Sequence, residues 1–229
     1  MHVPDGFIDA PVCAAGAVVA AGTVALAARK AAHDLDDRAV PLAGLTSAYV
    51  FAVQMLNFPV ASGTSGHLLG GCLAAAFVGP WLACVAMAVV VGVQALVFAD
   101  GGLSALGINV ILLAVVPAFA GAAILRVASA VLPATRRALL ASTAVAAWVT
   151  VVLAAAVFTA LFALGGAADV ALRDLAVAMI GVHALVGVGE AAITTMTLGA
   201  VLASRPDLVH AARHLTAAHA VARTAGTPA

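Results

Sequence analysis

Charge is what this chain has least of. Only 9% of its 229 residues are charged and 65% are hydrophobic, whereas a soluble domain is roughly a quarter charged. With a mean hydropathy of +1.17, an all-α integral membrane protein is expected. Ten Lys plus Arg are matched by ten Asp plus Glu, which leaves no basic patch and predicts no nucleic-acid partner. The single lysine, Lys30 in A-R-K-A, leaves no P-loop, so ATP hydrolysis by that route is excluded and any energy source must lie in other subunits. No H-E-x-x-H zinc motif occurs either. Cys13, Cys72 and Cys84 lie in apolar stretches with no C-x-x-C pair and read as small packing residues. Nothing basic precedes the first apolar run, so no cleavable signal is read and the N-terminus is expected to be mature as written.

What the chain does have is long apolar runs. A helical span needs about 20 such residues, and six blocks qualify: Ala10–Ala28, Leu42–Phe58, Leu68–Ala99, Leu103–Leu125, Leu139–Leu164 and Leu175–Ala203. Pro11 starts the first, where its missing N–H costs little, and Pro117 inside the fourth predicts a kink. Basic residues follow block one (Arg29, Lys30, Arg38), separate blocks four and five (Arg126, Arg136, Arg137), and recur after block six (Arg205, Arg213, Arg223). Placing all three clusters in the cytoplasm requires the third block to cross twice. Gly79-Pro80 near its middle is a turn signal and splits it into about Gly66–Val78 and Trp81–Ala99. The expectation is seven transmembrane helices, N-terminus outside and C-terminus cytoplasmic, with Arg173 the one basic residue left outside. Residues 1–204 then form a single polytopic domain, and 205–229 a short, flexible cytoplasmic tail holding His210, His214 and His219. Small-xxx-small pairs such as Ala10/Ala14 and Ala21/Ala25 would permit close helix contact.

The chain begins M-H-V-P-D-G-F. A histidine directly after Met1 offers three nitrogens from two residues: the α-amine, the His2 amide and its imidazole Nδ1. Amine and amide close a five-membered chelate ring, and amide and Nδ1 a six-membered one. The two rings share the amide and lie nearly flat. Such a set suits Ni²⁺ or Cu²⁺ and less readily Co²⁺, while Mg²⁺ and Ca²⁺ prefer oxygen. A fourth donor must come from elsewhere. The loop N-F-P-V-A-S-G-T-S-G-H-L-L-G-G, Asn57 to Gly71, lies on the same side by topology, and its strong ligand is His67. Its glycines let the backbone approach the site closely.

Other polar residues are candidates for a supporting role: Asp5, Asn57, Ser65, Asn109, His183 and Glu190, with Gln54 a lesser one. His183 and Glu190 stand seven residues apart, two turns up one helix face. Ionisable residues within a span are expensive and face the protein interior, so a structural polar pair is favoured over direct ligation. Asp5 and Asp9 are read as orienting an imidazole or keeping the tip solvated. G-T-S-G at Gly63–Gly66 supports a rival, a rhomboid-like intramembrane serine protease with Ser65 as nucleophile and His183 as base, which leaves Met1, His2 and His67 unexplained. A passive channel is disfavoured, since no ring of repeated acidic side chains appears.

Five stretches in order carry a resemblance: M-H-V-P-D-G-F, Asn57–Gly71, G-P-W at Gly79–Trp81, D-G-G-L-S-A-L-G-I-N at Asp100–Asn109, and H-A-L-V-G-V-G-E at His183–Glu190. Together they resemble the CbiM/NikM family, the substrate-binding membrane components of energy-coupling-factor transporters for cobalt and nickel. The likeness runs from Met1 to about Ala203. It implies a seven-helix fold in the cell's inner (plasma) membrane and a site made of the Met1 amine, the His2 amide and imidazole, and the His67 imidazole. The transported substrate would be Co²⁺ or Ni²⁺, with no organic cofactor and no enzymatic activity. The implied partners are a transmembrane coupling protein, two cytoplasmic ATPases and a small accessory membrane protein. The P-D-G-F tip leans towards the cobalt branch, linked to cobalamin synthesis, while the ligand field of a flat four-nitrogen site leans towards nickel.

Overall fold

The structure is a computed structural model in which residues 1–56, 58–59, 65–213 and 215 are described, without the side chains of Asp34, Phe58, Pro59 and Ser65. It is a helical bundle: α1 (Ala10–Asp34), α2 (Ala39–Gln54), α3 (Gly71–Val78), α4 (Pro80–Val97), α5 (Leu106–Val131), α6 (Arg136–Gly165) and α7 (Leu172–Ser204). Five of these, α1, α4, α5, α6 and α7, are long and apolar enough to cross a membrane. Large apolar side chains such as Val18, Leu26, Leu96, Leu164, Leu185 and Met196 point outward, far more than a water-soluble surface tolerates. The chain is a multi-pass membrane protein.

Helix α2 has 16 residues and α3 has eight, so at 1.5 Å per residue neither reaches the roughly 30 Å of a hydrocarbon core. The third apolar block divides at the expected place: α3 ends at Val78, Gly79 takes φ +80°, and Pro80 opens α4. Yet α3 starts at Gly71 rather than near Gly66, because Gly70 adopts φ +72°, and His67 to Gly70 belong to no helix or strand. A two-residue antiparallel ladder, Phe58–Pro59 with Ser65–Gly66, closes that loop.

The expected irregularity at Pro117 takes the form of a π-helical turn over Ile111–Val115. Proline cannot donate to the carbonyl four residues back, and the ladder shifts one register just before it: the Val116 N–H bonds to the Ile111 carbonyl. Gly71 lies against this point, where an added Cβ would stand 2.7 Å from Pro117 Cγ and 3.2 Å from the Leu113 carbonyl oxygen. Helix α5 also touches α1 closely, but at Gly107 against Ala17 and Ile108 against Gly16. The small-residue pairs Ala10/Ala14 and Ala21/Ala25 face outward instead.

One end of the bundle gathers the N-terminal segment and the loops after α2, α4 and α6. Asp9 caps α1 through Val12 N–H at 3.0 Å and donates its own N–H to the Gly165 carbonyl at 2.7 Å. Phe7 is buried between Phe158 and Phe162, at ring-centroid distances of 5.8 and 5.1 Å. The other end gathers most of the basic residues. There Arg38 and Asp207 form an ion pair at 3.5 Å, and Arg136 donates to the Gly199 carbonyl at 2.7 Å. The beginning of the expected tail is packed rather than loose: Pro206–Leu208 and His210–Ala212 are short 3₁₀ turns, Val209 and Ala212 are buried, and Gly79 sits against the His210 ring. His214, His219 and Arg223 lie outside the described residues.

Candidate metal site

The first three residues are not a frayed end. Met1 and Val3 are fully buried and His2 is 4% exposed. Asn109, at the start of α5, holds them there. Its Oδ1 accepts from Val3 N–H at 2.7 Å and its Nδ2 donates to the Val3 carbonyl at 3.1 Å. The Gly102 N–H adds a third bond, to the same carbonyl, at 2.8 Å. The turn that delivers it needs glycine at Gly101, which has φ +97° and would place a Cβ 2.9 Å from Asn109 Nδ2. Through this clamp a polar side chain in α5 fixes where the chain's own nitrogens go.

His67 meets His2 inside the bundle. Their rings stack with centroids 4.7 Å apart, and His67 Nε2 lies 3.2 Å from His2 Nδ1. The other His67 nitrogen, Nδ1, is 2.7 Å from the Leu68 carbonyl oxygen. A carbonyl can only accept, so Nδ1 carries the hydrogen and Nε2 presents a lone pair. His2 Nδ1 also faces Asp100 Oδ1 at 3.1 Å. The gap between the two imidazoles thus brings the His67 lone pair and a carboxylate oxygen together at His2 Nδ1. Burial, opposed by the charge of Asp100, pushes the Met1 amine from 8.0 down to about 4, so at neutral pH it is an unprotonated donor. His67 is held well below the usual imidazole range, mainly by burial and then by the nearby Met1 amine and His2, which would repel a proton on it.

The loop bearing His67 is positioned by α7. Glu190 takes the Leu69 N–H on one carboxylate oxygen at 2.8 Å and the Gly70 N–H on the other at 2.7 Å. His183, on the same face, is fully buried and bonds through Nδ1 to the Met179 carbonyl at 2.7 Å. Its Nε2 has no hydrogen-bond partner among the described residues.

Asp5 orients no imidazole. It is exposed, and its carboxylate accepts from the backbone N–H and hydroxyl of Ser104, pinning the loop after α4. Those bonds hold its carboxyl below the usual range. Asp9 is a helix cap. The carboxylate beside an imidazole is Asp100. Asn57 and the Ser65 side chain lie outside the described residues and side chains.

Sequence reasoning passed over two members of the site, Asp100 and Gln94, and Gln94 left a signal. An uncharged but strongly polar residue inside an apolar span must find partners, as Gln54 does in α2. Among the described residues no three His, Cys, Asp or Glu side chains gather as a metal-binding group.

The chain matches the CbiM family, described as a cobalt uptake substrate-specific transmembrane region, over residues 2–208. A Haloquadratum walsbyi chain whose name assigns it to metal transport is 38% identical over 209 residues, 91% of this chain and 93% of that one. The fused nickel transport protein NikMN of Rhodobacter capsulatus is 39% identical over 127 residues, 54% of this chain and 36% of that protein. The cobalt transport protein CbiM of Geobacter sulfurreducens is 38% identical over 126 residues, 53% of this chain and 36% of that one. Two crystal structures of transition metal transporters, one of them truncated, superpose with TM-scores of 0.82 and 0.81. They are 29% and 28% identical, cover 88% of this chain, and are themselves covered to 98% and 92%. Neither the fold nor the relatives point to a protease. The chain belongs to the CbiM family of cobalt and nickel transport proteins.

Proposed function

We propose that this protein captures Co²⁺ or Ni²⁺ with four nitrogens: the Met1 amine, the His2 amide, His2 Nδ1 and His67 Nε2. The observation that carries this reading is the 3.2 Å approach of His67 Nε2 to His2 Nδ1. In a flat set the chelate of residues 1 and 2 fills three corners, with amine and Nδ1 opposite each other, so the fourth donor must neighbour Nδ1. With metal–imidazole bonds of about 2.0 Å, neighbouring corners stand about 2.8 Å apart. The observed 3.2 Å is close to that value. A divalent ion with one amidate ligand carries a single positive charge, which Asp100 offsets in a site that water scarcely reaches. The affinity order of divalent ions alone would favour Cu²⁺, so selection rests on pocket shape and metal supply.

The wider reading follows from the family and from charge placement. The chain is the substrate-specific component of an energy-coupling-factor transporter, with seven crossings in the plasma membrane and the metal site facing outward. It works with a coupling protein, two ATPases and an accessory membrane protein, and has no ATPase of its own. Residues 1–204 form the polytopic unit and 205–229 the cytoplasmic tail. Titration calorimetry on the purified protein tests the site. His2→Ala and His67→Ala should each reduce Ni²⁺ and Co²⁺ affinity by at least about 100-fold, while Ser65→Ala leaves it unchanged. Undiminished binding in His67→Ala would refute the ligand set.

A further inference from the structure

The nitrogen of His2 that does not face His67 ends a chain of hydrogen bonds with only one possible direction. Gln54 Nε2 lies 2.6 Å from the Leu69 carbonyl oxygen, Gln94 Nε2 lies 2.8 Å from Gln54 Oε1, and His2 Nε2 lies 3.2 Å from Gln94 Oε1. Both glutamines are fully buried. Which end of a side-chain amide is nitrogen is an assignment, but here the far end settles it. A backbone carbonyl only accepts, so Gln54 must turn its NH₂ towards Leu69. Its oxygen is then left for the NH₂ of Gln94, and the oxygen of Gln94 for His2. Reversing Gln94 alone would set two amide oxygens against each other at 2.8 Å. Reversing both glutamines would set Gln54 Oε1 against the Leu69 carbonyl at 2.6 Å. Either leaves buried polar groups unsatisfied.

We infer that Gln54 and Gln94 are positioning residues that keep a hydrogen on His2 Nε2 against the pull of Asp100 Oδ1 and His67 Nε2 on the other ring nitrogen, so that Nδ1 is the nitrogen given to the metal. The inference rests on the reading of His2 as a ligand through Nδ1. It extends that reading by naming what selects the ring nitrogen. A histidine ligand whose second nitrogen donates to a fixed acceptor is oriented and made more basic, and losing such a partner typically costs about 10- to 100-fold in metal affinity. The chain also ties the site to its supports: the carbonyl at its end belongs to Leu69, whose N–H is held by Glu190. Glu190, the His67 loop and the His2 ring are thus one connected network.

The test uses full-length protein in detergent with ¹⁵N-labelled histidine. In metal-free wild type, His2 Nε2 should show the chemical shift of a protonated ring nitrogen. Gln94→Leu, which removes the acceptor, should mix the ring tautomers, weaken Ni²⁺ binding by about 10- to 100-fold and diminish the absorption of planar Ni²⁺. Gln94→Glu, as the neutral acid that its buried place favours, turns its hydroxyl to Gln54 Oε1 and its carbonyl to Nε2–H, so it should keep the tautomer and bind far better than Gln94→Leu. Should Gln94→Leu fail to insert, Gln54→Leu carries the test, since it frees the Gln94 amide to rotate and should also mix the tautomers. Wild-type shifts and affinity in the leucine variants would overturn the inference, as would equal losses in Gln94→Glu and Gln94→Leu. Wild-type affinity in His2→Ala would instead overturn the ligand set itself, and is told apart because the metal-free nitrogen shifts are read without metal.

Discussion

At the scale of single residues, Glu190 shows how a charge inside an apolar helix serves a site without entering it. Both of its oxygens are occupied by backbone N–H groups of the His67 loop. Glu190→Gln keeps the size but can accept at one oxygen only, and it turns an NH₂ towards the other N–H. It should therefore cost about 1–3 kcal/mol, the penalty for an unsatisfied buried donor, and Glu190→Ala at least as much. Thermal unfolding and Ni²⁺ titration of the two variants check this; wild-type behaviour in Glu190→Gln would show that the carboxylate does not hold the loop. The candidates of the sequence reading divide by how their partners are chosen. That Met1, His2 and His67 would come together was legible because their donor chemistry is written in residue type and spacing. Asn109 was legible only as a polar residue in an apolar setting, since its partner Val3 lies 106 positions away. Asp100 was hidden because an Asp-Gly-Gly turn reads as an ordinary loop until the fold brings His2 beneath it.

At the scale of elements, the N-terminal segment behaves as a plug whose docking depends on proton binding. Burial in the docked position pushes its amine from the ordinary 8.0 down to about 4. Between those values the undocked segment binds more protons, so docking is fully favourable above about pH 8 and weakens as pH falls towards 4, by up to about 1.4 kcal/mol per unit. Amide hydrogen exchange at Val3, corrected for intrinsic rate, should lose up to about tenfold protection per pH unit across that window. Protection that stays constant from pH 8 to 5 would contradict a buried neutral amine. Element boundaries were legible where punctuation is strong, as at Gly79-Pro80. The start of α3 was not, because Gly66 to Val78 is apolar but for His67 and apolarity does not distinguish extended backbone from helix. The π-helical turn in α5 was visible only as its cause, Pro117.

At the scale of the whole molecule, the account places the metal site on the outer face and the Arg-rich loops inside. Single cysteines at Leu103 and Asp169, both exposed, should react with an impermeant thiol reagent in intact cells, with the buried native cysteines replaced. Cysteines at Asp37 and Thr135 should react only after permeabilisation. Labelling of Leu103→Cys and Asp37→Cys from the same side would refute the split of the third block and the seven crossings with it. The central claim, however, is that a chain end is a ligand, and it is tested by moving that end. Extending the chain by two residues before Met1 turns the α-amine into an amide while leaving His2 and His67 in place. Calorimetric Ni²⁺ binding by the purified, uncleaved, membrane-inserted protein should then be lost, whereas the same extension after Ala229 should leave it intact. Full-affinity binding by the N-terminally extended protein would contradict the account.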